Sequence, residues 1–145
     1  MKTEPLTFGI DHLKEQKISH WEGVRNYQAR NNMRAMKKGD LAFIYHSSCD
    51  LIGIAGLGRV EKEAYPDHFA WDTKSKYFDP KSTPQKPVWF MVDIAFESKF
   101  KKIIPLSELR NYPELEGMPL LRTGLRLSVQ PVSEKQFQFI KKVAS

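Results

Sequence analysis

Six consecutive residues, Tyr45-His46-Ser47-Ser48-Cys49-Asp50, bring together hydroxyls, a thiol, an imidazole and a carboxylate, the ingredients of a hydrolytic centre. A nucleophile also needs its base beside it in space. On an extended strand His46 and Cys49 point to opposite faces, and Ser47 lacks the flanking glycines of a nucleophile elbow. The segment therefore reads as a strand end, with Cys49 a small, partly buried thiol and the hydroxyls capping the strand. His12, His20, His46 and His68 have no metal-ligand spacing, and neither HExxH nor a Walker lysine motif occurs. Gly53, Gly56 and Gly58 lie inside a strand-like run with no helix after it, unlike a dinucleotide fingerprint. No catalytic residue, metal or cofactor is assigned, and carboxylate pairs such as Glu61 and Glu63 read as solvated.

A second constellation suits recognition rather than reaction. Trp21-Glu22-Gly23-Val24-Arg25-Asn26-Tyr27-Gln28-Ala29-Arg30-Asn31 interleaves aromatic rings, guanidinium groups and amides. Aromatic faces stack on any base, amides pair with base edges, and arginines reach phosphates. The same residues also read as a core Trp21, a turn at Gly23 and an exposed arginine face on a helix.

The chain that must position these groups has 145 residues, the size of one domain that buries a core without disulfides. Hydrophobic residues make up 41%, with nine Phe, five Tyr and three Trp against eight Gly and nine Pro, a composition that excludes disorder and low-complexity tracts. The 23 Lys and Arg against 17 Asp and Glu leave a net charge of +6, a bias toward polyanions. One cysteine, no apolar run of bilayer length and no signal-like N-terminus lead to the expectation of a cytoplasmic protein away from membranes.

Hydrophobic spacing predicts a helix over about 8–17, capped by Thr7 or Asp11 with Ile10, Leu13 and Ile18 as its stripe. A second, with Ala29, Met33 and Met36 inside and Arg30 and Arg34 along a basic edge, is ended by Gly39. Period-two alternation predicts strands at 41–46, 51–62 and 88–96, with short ones at 100–104 and 127–130. A brief helix follows Pro105. Ser133 with Gln136 and Val132 with Phe137 form the capping box and hydrophobic staple of a C-terminal helix. Residues 65–87, with four prolines, five aromatics and four lysines, read as an ordered lid. The order of elements indicates α+β with a curved or barrel-like sheet of five or six strands.

At Lys2–Pro5 (KTEP), Trp21–Asn31 (WEGVRNYQARN), Met36–Asp40 (MKKGD), Tyr45–Cys49 (YHSSC), Gly53–Val60, Glu63–Asp67, Lys74–Asp93 and Arg126–Phe137 (RLSVQPVSEKQF) the sequence resembles the EVE-domain family of the PUA-like group. The resemblance implies one EVE domain over 1–145, with a PUA-like curved β-barrel of five or six strands flanked by helices. It implies a non-catalytic reader of a modified base, chiefly a modified cytosine in DNA, related in shape to YTH readers. The family pattern carries a short aromatic strand ahead of the KxEP word, and here the chain starts at Met1. Matching positions for the base pocket are Lys2, Thr3, Glu4, Trp21, Arg25, Asn26, Tyr27, Tyr45, His46, Ser47, Ser128 and Gln130, with Trp21 the expected cage wall. Arg30 and Arg34, with Lys74, Lys76 and Lys81 of the lid, are expected on phosphates. A monomer on DNA is the leading expectation, a modified RNA the alternative partner, and a hydrolase at the HSSCD segment a third reading.

Overall fold

The computed structural model describes residues 1–145. Its order is β1 (Lys2–Thr3), α1 (Ile10–Gln16), β2 (Ile18–His20), α2 (Tyr27–Arg34), β3 (Leu41–His46), β4 (Gly53–Pro66), β5 (Phe90–Pro105), α3 (Leu106–Leu109) and α4 (Glu134–Ala144). Short 3-10 turns occupy His68–Trp71, Pro113–Leu115 and Pro119–Leu121. No helix is long and apolar enough to cross a membrane.

Local chemistry explains where most helices begin. Asn26 Oδ1 accepts the Ala29 N–H and starts α2, and Ser133 Oγ accepts the Gln136 N–H and starts α4. The start of α1 is different from expectation. Its N-cap is Gly9, without a side-chain cap from Thr7 or Asp11. The orphan donors there go to imidazoles instead: His46 Nε2 accepts the Ile10 N–H at 3.1 Å and His12 Nδ1 the Gly9 N–H at 2.8 Å. Lys17, at φ 72°, ends α1 and turns Ile18 into β2, where it is exposed rather than on the helix stripe.

The five strands form one mixed sheet in the order β1-β3-β4-β5-β2, in which only the β1–β3 pair is parallel. The sheet does not close into a barrel. Its edge strands have two and three residues, too few to reach each other. The strand expected at 127–130 is absent because its carbonyls are spent on side chains: Val129 O accepts from Asn32 Nδ2 and Leu127 O from Gln130 Nε2. Only Ser128 O takes a backbone donor, from Lys2. The strands expected at 88–96 and 100–104 are one continuous strand, β5.

Both faces of the sheet are buried, and alternation along β3 shows how. Ile44 enters a core with Ile10, Leu13, Trp21, Ala29, Met33, Val92 and Ile94, covered by α1 and α2. Phe43 and Tyr45 enter the opposite core with Phe100, Ile104, Leu109, Leu115 and Ile140, covered by α3 and α4. Register slips between Leu57 and Gly58, whose β5 partners are Ser98 and Phe96, so an extra β5 residue is accommodated there. The slip carries the even-numbered Ile94 and Phe100 to opposite cores.

The glycines of β4 serve close approach rather than a nucleotide. A Cβ on Gly56 would lie far inside van der Waals distance of the Ser98 carbonyl oxygen and of the Ile10 side chain. Gly56→Ala is therefore expected to destabilise the fold by about 1–3 kcal/mol in denaturant unfolding. An unchanged midpoint would mean that the β4–β5 ladder yields freely.

Candidate nucleic-acid interface

The candidate residues divide between the two faces. Because successive strand residues face opposite ways, Tyr45 and His46 do not line one pocket. The parallel register sets Lys2 beside Tyr45 and Thr3 beside His46. On the α3–α4 side, Lys2, Tyr45, Ser128 and Gln130 surround a cavity of about 30 Å³, room for about one water. The Lys2 ammonium lies 5.9 Å from the Tyr45 ring centre and donates to Leu125 O; burial lowers its pKa and raises that of the Tyr45 hydroxyl.

On the α1–α2 side, Thr3, Glu4, Trp21, His46 and Ser47 gather around the start of α1. Thr3 Oγ1 donates to Phe8 O at 2.6 Å, and Ser47 donates from both N and Oγ to Thr3 O. The Glu4 carbonyl accepts from the amides of Thr7 and Phe8, folding the KTEP word into a tight turn. Trp21 is only 8% exposed, its ring edge-on to Phe8 at 5.8 Å. Trp21 is thus a core residue, and the open cage wall expected from the resemblance is covered.

Three further residues do other work than expected. His46 is buried and neutral, its pKa lowered first by burial, with Nε2 committed to Ile10, so it is neither a base for Cys49 nor a reader of base edges. Cys49 Sγ instead donates to Leu51 O. Asn26 has its oxygen engaged as the α2 cap. Four of the five Arg25 donors are engaged: Nε and one Nη2 N–H donate to Tyr77 O, and Nη1 to Val24 O and Asp67 Oδ2. Its guanidinium lies 5.5 Å from the Trp89 ring centre and 5.6 Å from that of Tyr77. A single Nη2 N–H remains for an outside acceptor, so Arg25 serves the protein's own structure first.

Arg25 belongs instead to a clamp that the sequence reading missed. Asp67, with no exposed surface, accepts from Gly23 N, Arg25 Nη1 and Phe69 N. Trp89 Nε1 donates to Asp79 Oδ2 at 2.7 Å, and Ser82, also buried, accepts from Val88 N. The 65–87 segment is thereby an ordered rim, as its composition indicated. Gly23, at φ 83°, lies under the Tyr77 ring where a Cβ would collide with it. The signal for the clamp lay in Asp67, Tyr77 and Trp89 all falling within matching words of the resemblance.

The exposed part of this face is aromatic and basic. Tyr27 is 59% exposed and stacks on Trp89 at 4.9 Å between ring centres. Arg30 lies 5.0 Å from the Tyr27 ring centre and donates to Val88 O and Asn31 Oδ1. Arg34 lies 4.5 Å from the Phe90 ring centre. Arg34, Lys74, Lys76 and Lys81 are exposed and outside every ion pair, which leaves their charges for a polyanion. No three His, Cys, Asp or Glu side chains converge as metal ligands. Separately, the α2 end, the start of β3 and residues 129–138 enclose an open cleft of about 560 Å³ on Met36, Phe43, Val129, Gln130, Val132 and Phe137.

The EVE domain model matches residues 1–143. Thymocyte nuclear protein 1 of Danio rerio is 46% identical over 97% of this chain and 68% of its own length, and that of Homo sapiens 44% identical over 97% and 70%. A crystal structure of a Pseudomonas syringae protein superposes with a TM-score of 0.96 at 46% identity, covering 100% of this chain and 97% of that one. The crystal structure of human THYN1 protein in complex with 5-methylcytosine-containing DNA superposes with a TM-score of 0.94 at 42% identity, covering 100% and 95%.

Two outcomes follow from the packing. Trp21→Ala empties a core site and is expected to cost about 3–5 kcal/mol of unfolding free energy, a loss read in thermal and denaturant melts. A melt close to wild type would return Trp21 to an open pocket wall. The folded pKa of His46 lies below its ordinary value near 6.5, so the unfolded chain binds the extra proton. Its contribution is complete above about pH 6.5 and declines as pH falls through and below that value. His46→Gln, which keeps an acceptor for Ile10 without titrating, should flatten that part of a stability profile between about pH 7 and 5.

Proposed function

The chain belongs to the EVE domain family, and on that premise we propose that it is a non-catalytic reader of a modified base in DNA, with 5-methylcytosine the first base to test. The single observation that carries this reading is the human THYN1 complex with 5-methylcytosine-containing DNA, matched along the whole chain. The exposed basic and aromatic face supports it from the side of chemistry.

The read base is taken on the face that carries Thr3, Glu4, Phe8 and Trp21, because α2 adds the exposed Tyr27 ring and the Arg34 cation on that same α1–α2 side. One base leaves the stack at a cost of a few kcal/mol. Stacking on a ring returns about 1–3 kcal/mol, and phosphate contacts from Arg34, Lys74, Lys76 and Lys81 supply further affinity. A buried methyl adds about 0.8 kcal/mol, roughly a fourfold preference, so larger discrimination has to come from a polar group that the unmodified base leaves unpaired.

Binding of matched duplexes that differ only in cytosine methylation, over a salt series, tests this reading. Methylated DNA is expected to bind at least about fourfold tighter. The slope of log K on log salt should flatten by about 0.9 for each phosphate contact removed with the Lys74, Lys76 and Lys81 ammonium groups. Equal affinity for both duplexes, or turnover of either, would overturn the assignment.

A further inference from the structure

We propose that the outer face of Tyr27 is a stacking platform for the nucleobase next to the one being read, a site separate from the reading pocket. This rests on the reading of the chain as a nucleic-acid binder. Tyr27 opens α2, and the inner face of its ring covers Trp89, which is 4% exposed. Tyr27 to Trp89, Tyr27 to Arg30 and Trp89 to Arg30 measure 4.9, 5.0 and 5.9 Å, a nearly equilateral triangle. The guanidinium therefore lies beside the stacked pair and leaves the outer face of Tyr27 open, consistent with 59% exposure.

The platform is held before any ligand arrives. Trp89 is fixed by its indole bond to Asp79, Arg30 by its bond to Val88 O, and the α2 start by the Asn26 cap. A base stacking there meets an ordered ring with a cation at its side, so little further ordering is needed. An exposed tyrosine does not need this support for solubility.

Position assigns the neighbouring base rather than the read base. Trp21 N–H bonds Val92 O, whereas Tyr27 stacks on Trp89, three residues back along the same extended run, about 10 Å away. The two rings are thus anchored at different points of the run, one assigned to the read base and the other to its neighbour in the strand.

The test is a double-mutant cycle by fluorescence anisotropy on the full chain. Wild type, Tyr27→Phe, Tyr27→Leu and Tyr27→Ala are titrated with DNA carrying one 5-methylcytosine, and with the same DNA made abasic at either neighbouring position. Tyr27→Phe is expected to stay within about twofold of wild type, while Leu and Ala lose about 5- to 150-fold, the range for one stacked base. That loss should vanish when one particular neighbour is abasic. Melting temperatures of all four proteins confirm folding, and the Leu variant keeps apolar cover over Trp89. Full affinity in Tyr27→Ala, or an equal loss whichever base is removed, overturns the platform. A wild type indifferent to methylation, with the Tyr27 coupling intact, overturns the modified-base reading and leaves the platform standing. Absence of any DNA binding overturns both.

Discussion

The buried carboxylate of Asp67 is the constraint around which the ligand-facing side is arranged. A charge without solvent exposure is tolerated only where its oxygens are paired, and Asp67 draws its three partners from two separate segments: Gly23 and Arg25 before α2, and Phe69 in its own turn. Its backbone N–H also bonds Trp89 O. One residue, through its side chain and its backbone, thus joins the loop before α2, the rim and the residue that leads into β5. The opposing effects are large: desolvation of the pair offsets much of its attraction, and the net stability gained is small. Losing one partner is different, because an uncompensated charge would remain in the interior. The pair therefore specifies where the rim sits more than it stabilises the domain.

That placement decides what Arg25 can do. A guanidinium has five donors in a fixed fork, and here four of them are taken by Tyr77 O, Val24 O and Asp67. Between the rings of Trp89 and Tyr77 it holds protein to protein. The charges that this face leaves for a polyanion include Arg34 and the rim lysines, which have no acceptors. Division of labour by hydrogen-bond satisfaction separates positioning cations from binding cations, which share one residue type and one stretch of chain.

Whatever was encoded locally was legible in the sequence. The α4 start needs only Ser133 and the residues just after it, and β3 announces itself by alternation over six positions. β2 was not legible because three residues carry too little period, and Ile18 fell into phase with a helix that Lys17 had already ended. The slip in β5 was hidden for a sharper reason: apolar residues stay even-numbered on both sides of it, while their faces exchange. Reading 127–130 as a strand failed because its carbonyls serve Asn32 and Gln130. At the site, residue type identified the aromatic and basic character but not who faces whom. Asp67, in a stretch rich in lysine and proline, drew no reading of its own, and Trp21 was read as core from its segment and as a cage wall from the resemblance. Only three-dimensional partners separate such pairs.

Affinity and discrimination then fall to different parts of the molecule. Phosphate contacts and ring stacking are blind to a single methyl, since every base offers a π-face and every nucleotide a phosphate. They come from the exposed rim, where solvent and salt moderate each contact. Trp21 is buried, and against such a ring one methyl would count at full value and an unpaired polar atom for more. A rim fixed by a buried ion pair lets the first group of forces work without distorting the second. Phe8 and Trp21 meet at right angles, so a base brought against the tryptophan would disturb a contact that the core now uses. Modified and unmodified bases would both bear that cost and both recover stacking, and only the modified base would add the burial of its methyl.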